Sequence, residues 1–195
     1  MKEGVIKFKC EWIEDKPLPL SILKDLIITR NSLYSMNLIG TDKDGIGYGN
    51  ISIRYNENQF IISGSQTGIK EKADENDFTT VTSYEIEKNL IHCKGPVQAS
   101  SESLTHAAIY SACEEANAVI HIHNIELWKK LKNIIPTTPE YAEYGTPELA
   151  FEIIKLFAHS DLMKYKILAM SGHPEGIISF GKNLEEAIRI LNSYT

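Results

Sequence analysis

The stretch AVIHIHN, Ala118 to Asn124, sets two imidazoles one residue apart inside an apolar, β-branched run. Such a run predicts a buried strand. Successive side chains on a strand point to opposite faces, so His121 and His123 share one face, roughly 6.5 Å apart along the backbone. Ile120 and Ile122 then fill the opposite, apolar face. Two imidazoles at that spacing can converge on one metal ion, although an isolated His-x-His serves equally well as two half-exposed polar positions.

Working outward, SESLTHAAIYSACEEANA from Ser101 carries helix-favouring residues, and its serine/glutamate start suits an N-terminal cap. Further upstream, Leu18 to Leu38 has Leu20, Leu23, Leu26 and Ile27 at helical spacing. A turn-rich GTDKDGIGYG follows, then the alternating runs ISIRY and QFIIS, which predict strands, with Val81 to Ile86 as a third. Downstream, Thr146-Pro147-Glu148 combines a capping threonine, a first-turn proline and an acid, and opens a helix to about Ala158. Lys166 to Met170 and Ile177 to Phe180 predict strands, and Leu184 to Leu191 a closing helix. Hairpin-like strand pairs among helices predict a three-layer sheet-and-helix α/β domain. No linker or repeat divides the chain, so residues 1–195 are expected to form one domain, with 1–17 as an N-terminal extension.

Composition removes several function classes. The 195 residues carry a net charge of −6 with no basic cluster, which argues against nucleic-acid and anionic-membrane partners and leaves a small molecule. Cys10, Cys93 and Cys113 are odd in number, widely spaced and without C-x-x-C pairing, so neither a disulfide framework nor a cysteine zinc site is expected. Met1 is not followed by a signal-peptide pattern, and no apolar run approaches the roughly 18 residues of a membrane span. A cytoplasmic location is expected.

Other short stretches bear on chemistry. In ASSE, Ala99 to Glu102, two hydroxyls and the N–H groups of a helix start can receive an anion such as a phosphate, or can simply cap the helix. A helix-turn-strand return can bring Glu102 beside His121 and His123, where a carboxylate near a metal serves as a general base; the plainer alternative is a capping glutamate. GNIS, Gly49 to Ser52, and SGSQTG, Ser63 to Gly68, are either backbone-donor loops for an anion or ordinary tight turns. His173, in SGHPEGII, would complete a three-histidine zinc site with an open position, or is a loop histidine. His106, four residues after Glu102, is expected to pack or cap, or to support Glu102. His92 and His159 suit the surface, Trp12 and Trp128 the core or a subunit interface, and Cys113 a buried apolar position.

The order of these pieces resembles the class II aldolase/adducin family. The matching residues are GNISIRY (Gly49 to Tyr55), Thr67-Gly68, SSE (Ser100 to Glu102), HIH (His121 to His123) and GIISFGKNLEEA (Gly176 to Ala187), and the likeness spans about Leu20 to Leu191. It implies a three-layer α/β/α sandwich around a mostly antiparallel central sheet, usually a homotetramer. It implies Zn2+ or another divalent ion on His121 and His123, the catalytic acid/base at Glu102, and phosphate binding at Asn50, Thr67, Gly68, Ser100 and Ser101. The implied activity is a metal-dependent lyase cleaving a ketose or sugar phosphate through a metal-stabilised enediolate. A dehydratase, a 4-epimerase and a non-catalytic adducin-like domain are alternatives on that scaffold.

The sequence departs from the family's pattern at three places. The third zinc ligand of the family is usually a histidine immediately before a glycine; here Glu175 precedes Gly176 and His173 lies two residues earlier. Imidazole matches the other two ligands, so His173 is the expected third and Glu175 the alternative. Ala99 replaces the usual proline. The sequence reaches Thr195 just after its last helix, where the aldolases carry a tail that lends a tyrosine to the neighbouring subunit, and the second proton donor is left unassigned.

Overall fold

The computed structural model describes residues 5–194. Its centre is a nine-stranded sheet. The first half of the chain supplies β1 (Lys9–Glu14), helix α1 (Leu20–Ser35), the small pair β2 (Gly40–Thr41) and β3 (Gly47–Tyr48), then β4 (Asn50–Asn56), β5 (Gln59–Ser63), β6 (Phe78–Glu85) and β7 (Leu90–Gly95). The second half supplies α2 (Ser103–Ala112), β8 (Ala118–His123), α3 (Ile125–Leu131), β9 (Thr137–Thr138), α4 (Pro147–His159), α5 (Leu162–Tyr165), β10 (Ile167–Met170), β11 (Gly176–Gly181) and α6 (Leu184–Asn192). The sheet order is β1-β7-β6-β5-β4-β8-β11-β10-β9. Pairing is antiparallel except at the two ends, where β1 joins β7 and β9 joins β10 in parallel.

Each face of the sheet has its own core. Leu104, Ala107 and Ala108 of α2 and Leu149 and Ile153 of α4 pack on Phe60, Ile62, Val119 and Ile178. Leu23, Leu26 and Leu33 of α1, Leu127 of α3 and Leu191 of α6 pack on Ile51, Ile61, Ile120 and Ile122 of the other face. The architecture is the α/β/α sandwich with a mostly antiparallel sheet. β8 lies between β4 and β11, and all six of its residues are buried. Its alternation follows the sequence reading: Ile120 and Ile122 enter one core, while His121 and His123 face the α2 layer with Val119. Register sets Asn50 opposite His121 on one side and Gly176 opposite His123 on the other.

Several boundaries differ from the sequence reading. The helix expected from Ser101 begins at Ser103 and stops at Ala112. Ser100 to Glu102 form a turn in which the Ser103 N–H and hydroxyl both donate to the Ser100 carbonyl, at 3.0 and 2.7 Å. The far end is closed by Arg54, whose guanidinium donates to the carbonyls of Tyr110 and Cys113. The third strand starts earlier, at Phe78, and a register shift between Val81 and Ser83 breaks its alternation. At α4 the predicted start holds, with the Thr146 hydroxyl accepting the Leu149 N–H and proline in the first turn. The N-terminal segment is built into the sheet: Phe8 is buried, β1 forms the edge, and the Trp12 indole donates to Gly95 O at 2.9 Å.

Candidate metal centre

His121 and His123 leave the sheet face together because they alternate along β8. The chain then passes through α3 to α5 and returns on β10, and the Ser171–Glu175 loop delivers His173 opposite them. His123 Nε2 lies 3.2 Å from His121 Nε2 and 2.9 Å from His173 Nε2. All three side chains are buried. Gly176 is what lets the rings meet, since a Cβ there would come within 2.7 Å of the His173 ring and 3.2 Å of the His121 ring. Tyr48 stacks on His123, and Tyr144 packs against His173 with ring centroids 4.8 Å apart.

The donor chemistry suits a divalent ion. Nitrogens each about 2.0–2.1 Å from a tetrahedral zinc are separated by about 3.3 Å, close to the spacing seen here. His121 Nδ1 lies 3.3 Å from the Ile177 carbonyl, a contact that keeps the proton on Nδ1 and turns the Nε2 lone pair inward. Burial, with the neighbouring His123, His173 and His106 adding to it, holds the His121 pKa well below its ordinary range. The imidazole is therefore neutral, as a ligand must be.

Glu102 is buried beside this cluster, with Oε1 3.9 Å from His173 Nε2. Its other oxygen accepts the Thr105 hydroxyl at 2.6 Å, one helical turn on. That contact pins the carboxylate and leaves Oε1 facing the histidines. His106 is fully buried, and its Nδ1 meets Ser52 Oγ, which also touches the Tyr110 hydroxyl, both at 2.7 Å. Burial alone pushes the His106 pKa down to about 3, so it supports the site as a neutral group.

The inner cavity is lined by Asn50, Gly68, Ser100, Ser101, Glu102, His121 and His173. Gly49 turns the chain into it with φ +74°, where a Cβ would strike Ile39. Ser100 Oγ accepts the Glu102 N–H, which leaves its own proton for another acceptor. The Thr67 hydroxyl donates to Gly64 O at 2.8 Å and stabilises the turn, and Thr67 sits beside Gly68 just outside the residues that line this cavity. That turn is also held by Arg30, buried in α1, which donates to the carbonyls of Thr67, Gly68 and Glu71. Outside the histidines, Asp42, Lys43, Tyr48, Tyr144 and Glu175 border a wider cavity of about 770 Å³.

The sequence profile of the class II aldolase and adducin N-terminal domain matches residues 41–194. The chain belongs to the class II aldolase/adducin family. Solved structures with this fold include an L-fuculose 1-phosphate aldolase, 20% identical, covering 90% of this chain and 82% of that one with a TM-score of 0.66. A sugar-phosphate aldolase from Thermotoga maritima is 15% identical over 89% of this chain and 90% of its own, TM-score 0.65. An aldolase II superfamily protein from Pseudomonas syringae is 14% identical over 92% and 73%, TM-score 0.60. Comparison with curated protein sequences gives no significant match. Among the described residues, no helix is long and apolar enough to cross a membrane.

Within the class II aldolase/adducin fold, the departure noted at the third ligand has a local form. Glu175 takes φ +72°, gives its carbonyl to the Asn124 N–H and is exposed at the outer cavity, while His173 turns back to the histidine cluster. Sequence reasoning did not single out Tyr48, Tyr144, Thr105 or Arg30. Only Arg30 left a signal: it interrupts the stripe Leu23, Leu26, Leu33 of α1 at a position where an apolar residue belongs.

Proposed function

We propose that the protein is a divalent-metal-dependent lyase acting on a ketose or sugar phosphate, with His121, His123 and His173 as metal ligands and Glu102 as the acid/base. The observation that carries this reading is the convergence of three Nε2 atoms beside a buried carboxylate. A divalent ion held there supplies Lewis acidity toward adjacent carbonyl and hydroxyl oxygens of the substrate. Glu102 Oε1 takes the hydroxyl proton as the carbon–carbon bond breaks, while Thr105 keeps the carboxylate in one rotamer. Asn50, Gly68, Ser100 and Ser101 orient the phosphate, with Thr67 and Arg30 holding the turn that presents Gly68. Tyr144, against His173 and in the cavity lining, is the phenol this chain itself offers as the second proton carrier. The names of the sugar-phosphate aldolases of like fold support the substrate class. A cytoplasmic homotetramer is part of the same reading, and exposed Leu20, Ile28, Ile134 and Tyr141 support burial between subunits.

The test is a zinc-supplemented screen of ketose phosphates, with products resolved by mass spectrometry. Release of a triose phosphate and an aldehyde, reduced about 10²–10⁴-fold in Glu102→Gln, is the expected result. A substrate returned as its epimer, or dehydrated, would move the reaction to the 4-epimerase or dehydratase of the same scaffold. A chain that takes up no metal and turns over nothing would sink the lyase reading.

A further inference from the structure

Cys10 and Cys93 are far apart in sequence yet meet in the fold, with their sulfurs 3.6 Å apart. Cys10 is half-buried on β1, the edge strand, and Cys93 is 1% exposed on β7. In the parallel register Cys10 lies opposite Ile91 and Cys93 opposite Trp12, and both side chains join the core on the α2 side of the sheet. The two sulfurs share a hydrogen bond, and the Ala99 N–H approaches both of them. Ala99 is the residue from which the Ser100–Glu102 turn departs. The shared proton, aided by that N–H, draws the Cys93 thiol below its ordinary range and raises Cys10. The pair as a unit therefore gives up its first proton more readily than an isolated thiol, and the thiolate is the reactive form.

We propose that the Cys10–Cys93 pair is a thiol modification site, oxidised by a low-molecular-weight disulfide to an intrachain bridge that staples the N-terminal edge strand to β7. Cys10 is the outer sulfur and meets the reagent RSSR first. The pair first gives one proton to solvent and shares the other between its sulfurs; as that remaining proton settles on Cys93, Cys10 Sγ bonds to one sulfur of the reagent and RS⁻ leaves. Cys93 then attacks Cys10 Sγ, its proton goes to solvent, and the second RS⁻ leaves. The protein loses two electrons and two protons, and the reagent gains them as two RSH. Closing 3.6 Å to the roughly 2.0 Å of a disulfide requires movement. β1 is the element able to supply it, since it is bonded to the sheet along one side only. Cys10 and Cys93 sit two residues out of register, and a bridge that draws the strands away from that pairing is the more readily reduced.

The test is incubation of the folded full-length chain with oxidised glutathione, followed by intact-mass measurement and peptide mapping. The expected result is loss of two hydrogens, a crosslink joining the Cys10 and Cys93 peptides, a free thiol at Cys113, and full reversal by dithiothreitol. This readout is independent of any enzymatic activity. A stable glutathione adduct on Cys10 with Cys93 still reduced, a bridge to Cys113, or no reaction at all would each overturn the proposal.

Discussion

At the residue scale, the proposed third metal ligand rests on a difference in backbone direction between His173 and Glu175. His173 points inward and Glu175, with its left-handed φ, points out. His173→Ala is expected to lose the metal measured by inductively coupled plasma mass spectrometry, whereas Glu175→Ala keeps about one ion per chain; the reverse pattern would transfer the role to Glu175. His106 supplies a second expectation. Its folded pKa of about 3 lies below the ordinary histidine value of 6.5, because burial disfavours the cation. Between those values the unfolded chain binds a proton that the folded chain refuses. This contribution is thus fully present above about pH 6.5 and declines on acidification by about 1.4 kcal/mol per pH unit, until it is gone near pH 3. In His106→Gln, urea melts across this acidic range are expected to give a stability-versus-pH slope shallower by about one proton. An unchanged slope would mean that His106 is charged in the fold.

At the element scale, legibility followed periodicity. β8 could be read because its alternation is strict and one of its faces is uniformly apolar. α4 could be read because Thr146 and Pro147 mark its start. β1, KCEWIE, could not, since it forms the edge of the sheet and carries charges that solvent tolerates there, and β7, LIHCKG, beside it sets His92 and Lys94 between its buried residues in a short run. The site behaved similarly: both β8 histidines follow from alternation, whereas the meeting of His173 with them depends on a loop that no period describes. Arg30 shows how an element and a site are joined. Two of its three carbonyl acceptors, Thr67 and Gly68, lie in the turn that forms this wall and the third, Glu71, just after it, so α1 fixes that wall of the cavity from behind. Arg30→Met keeps the helix and most of the volume but leaves those buried carbonyls without their donor. A loss of about 2–3 kcal/mol is expected, or about 5–10 °C in Tm. KM for a phosphorylated substrate should rise with metal content unchanged; an unaltered Tm would show that water replaces the guanidinium without cost.

At the scale of the whole molecule, the histidine cluster ties together parts of the chain that fold far apart in sequence. β8 lies at the middle of the sheet, while the Ser171–Glu175 loop follows β10, near the sheet's far edge. Between His123 and His173 the chain builds three helices and two strands, so the three nitrogens can meet only once that whole segment is in place. In the unfolded chain the site does not exist, and an ion that binds only the folded state stabilises it by mass action. With free zinc at about a thousand times its dissociation constant, that stabilisation is about 4 kcal/mol. For a chain of this size it corresponds to a Tm about 8–16 °C higher with zinc than after treatment with a chelator. His123→Ala should melt at one temperature under both conditions, because it removes the nitrogen that contacts both others. A wild-type Tm insensitive to both chelator and zinc would show that the three imidazoles are held by packing and hydrogen bonds alone. The same cluster would then be a structural polar core, and the catalytic reading of Glu102 would fall with it.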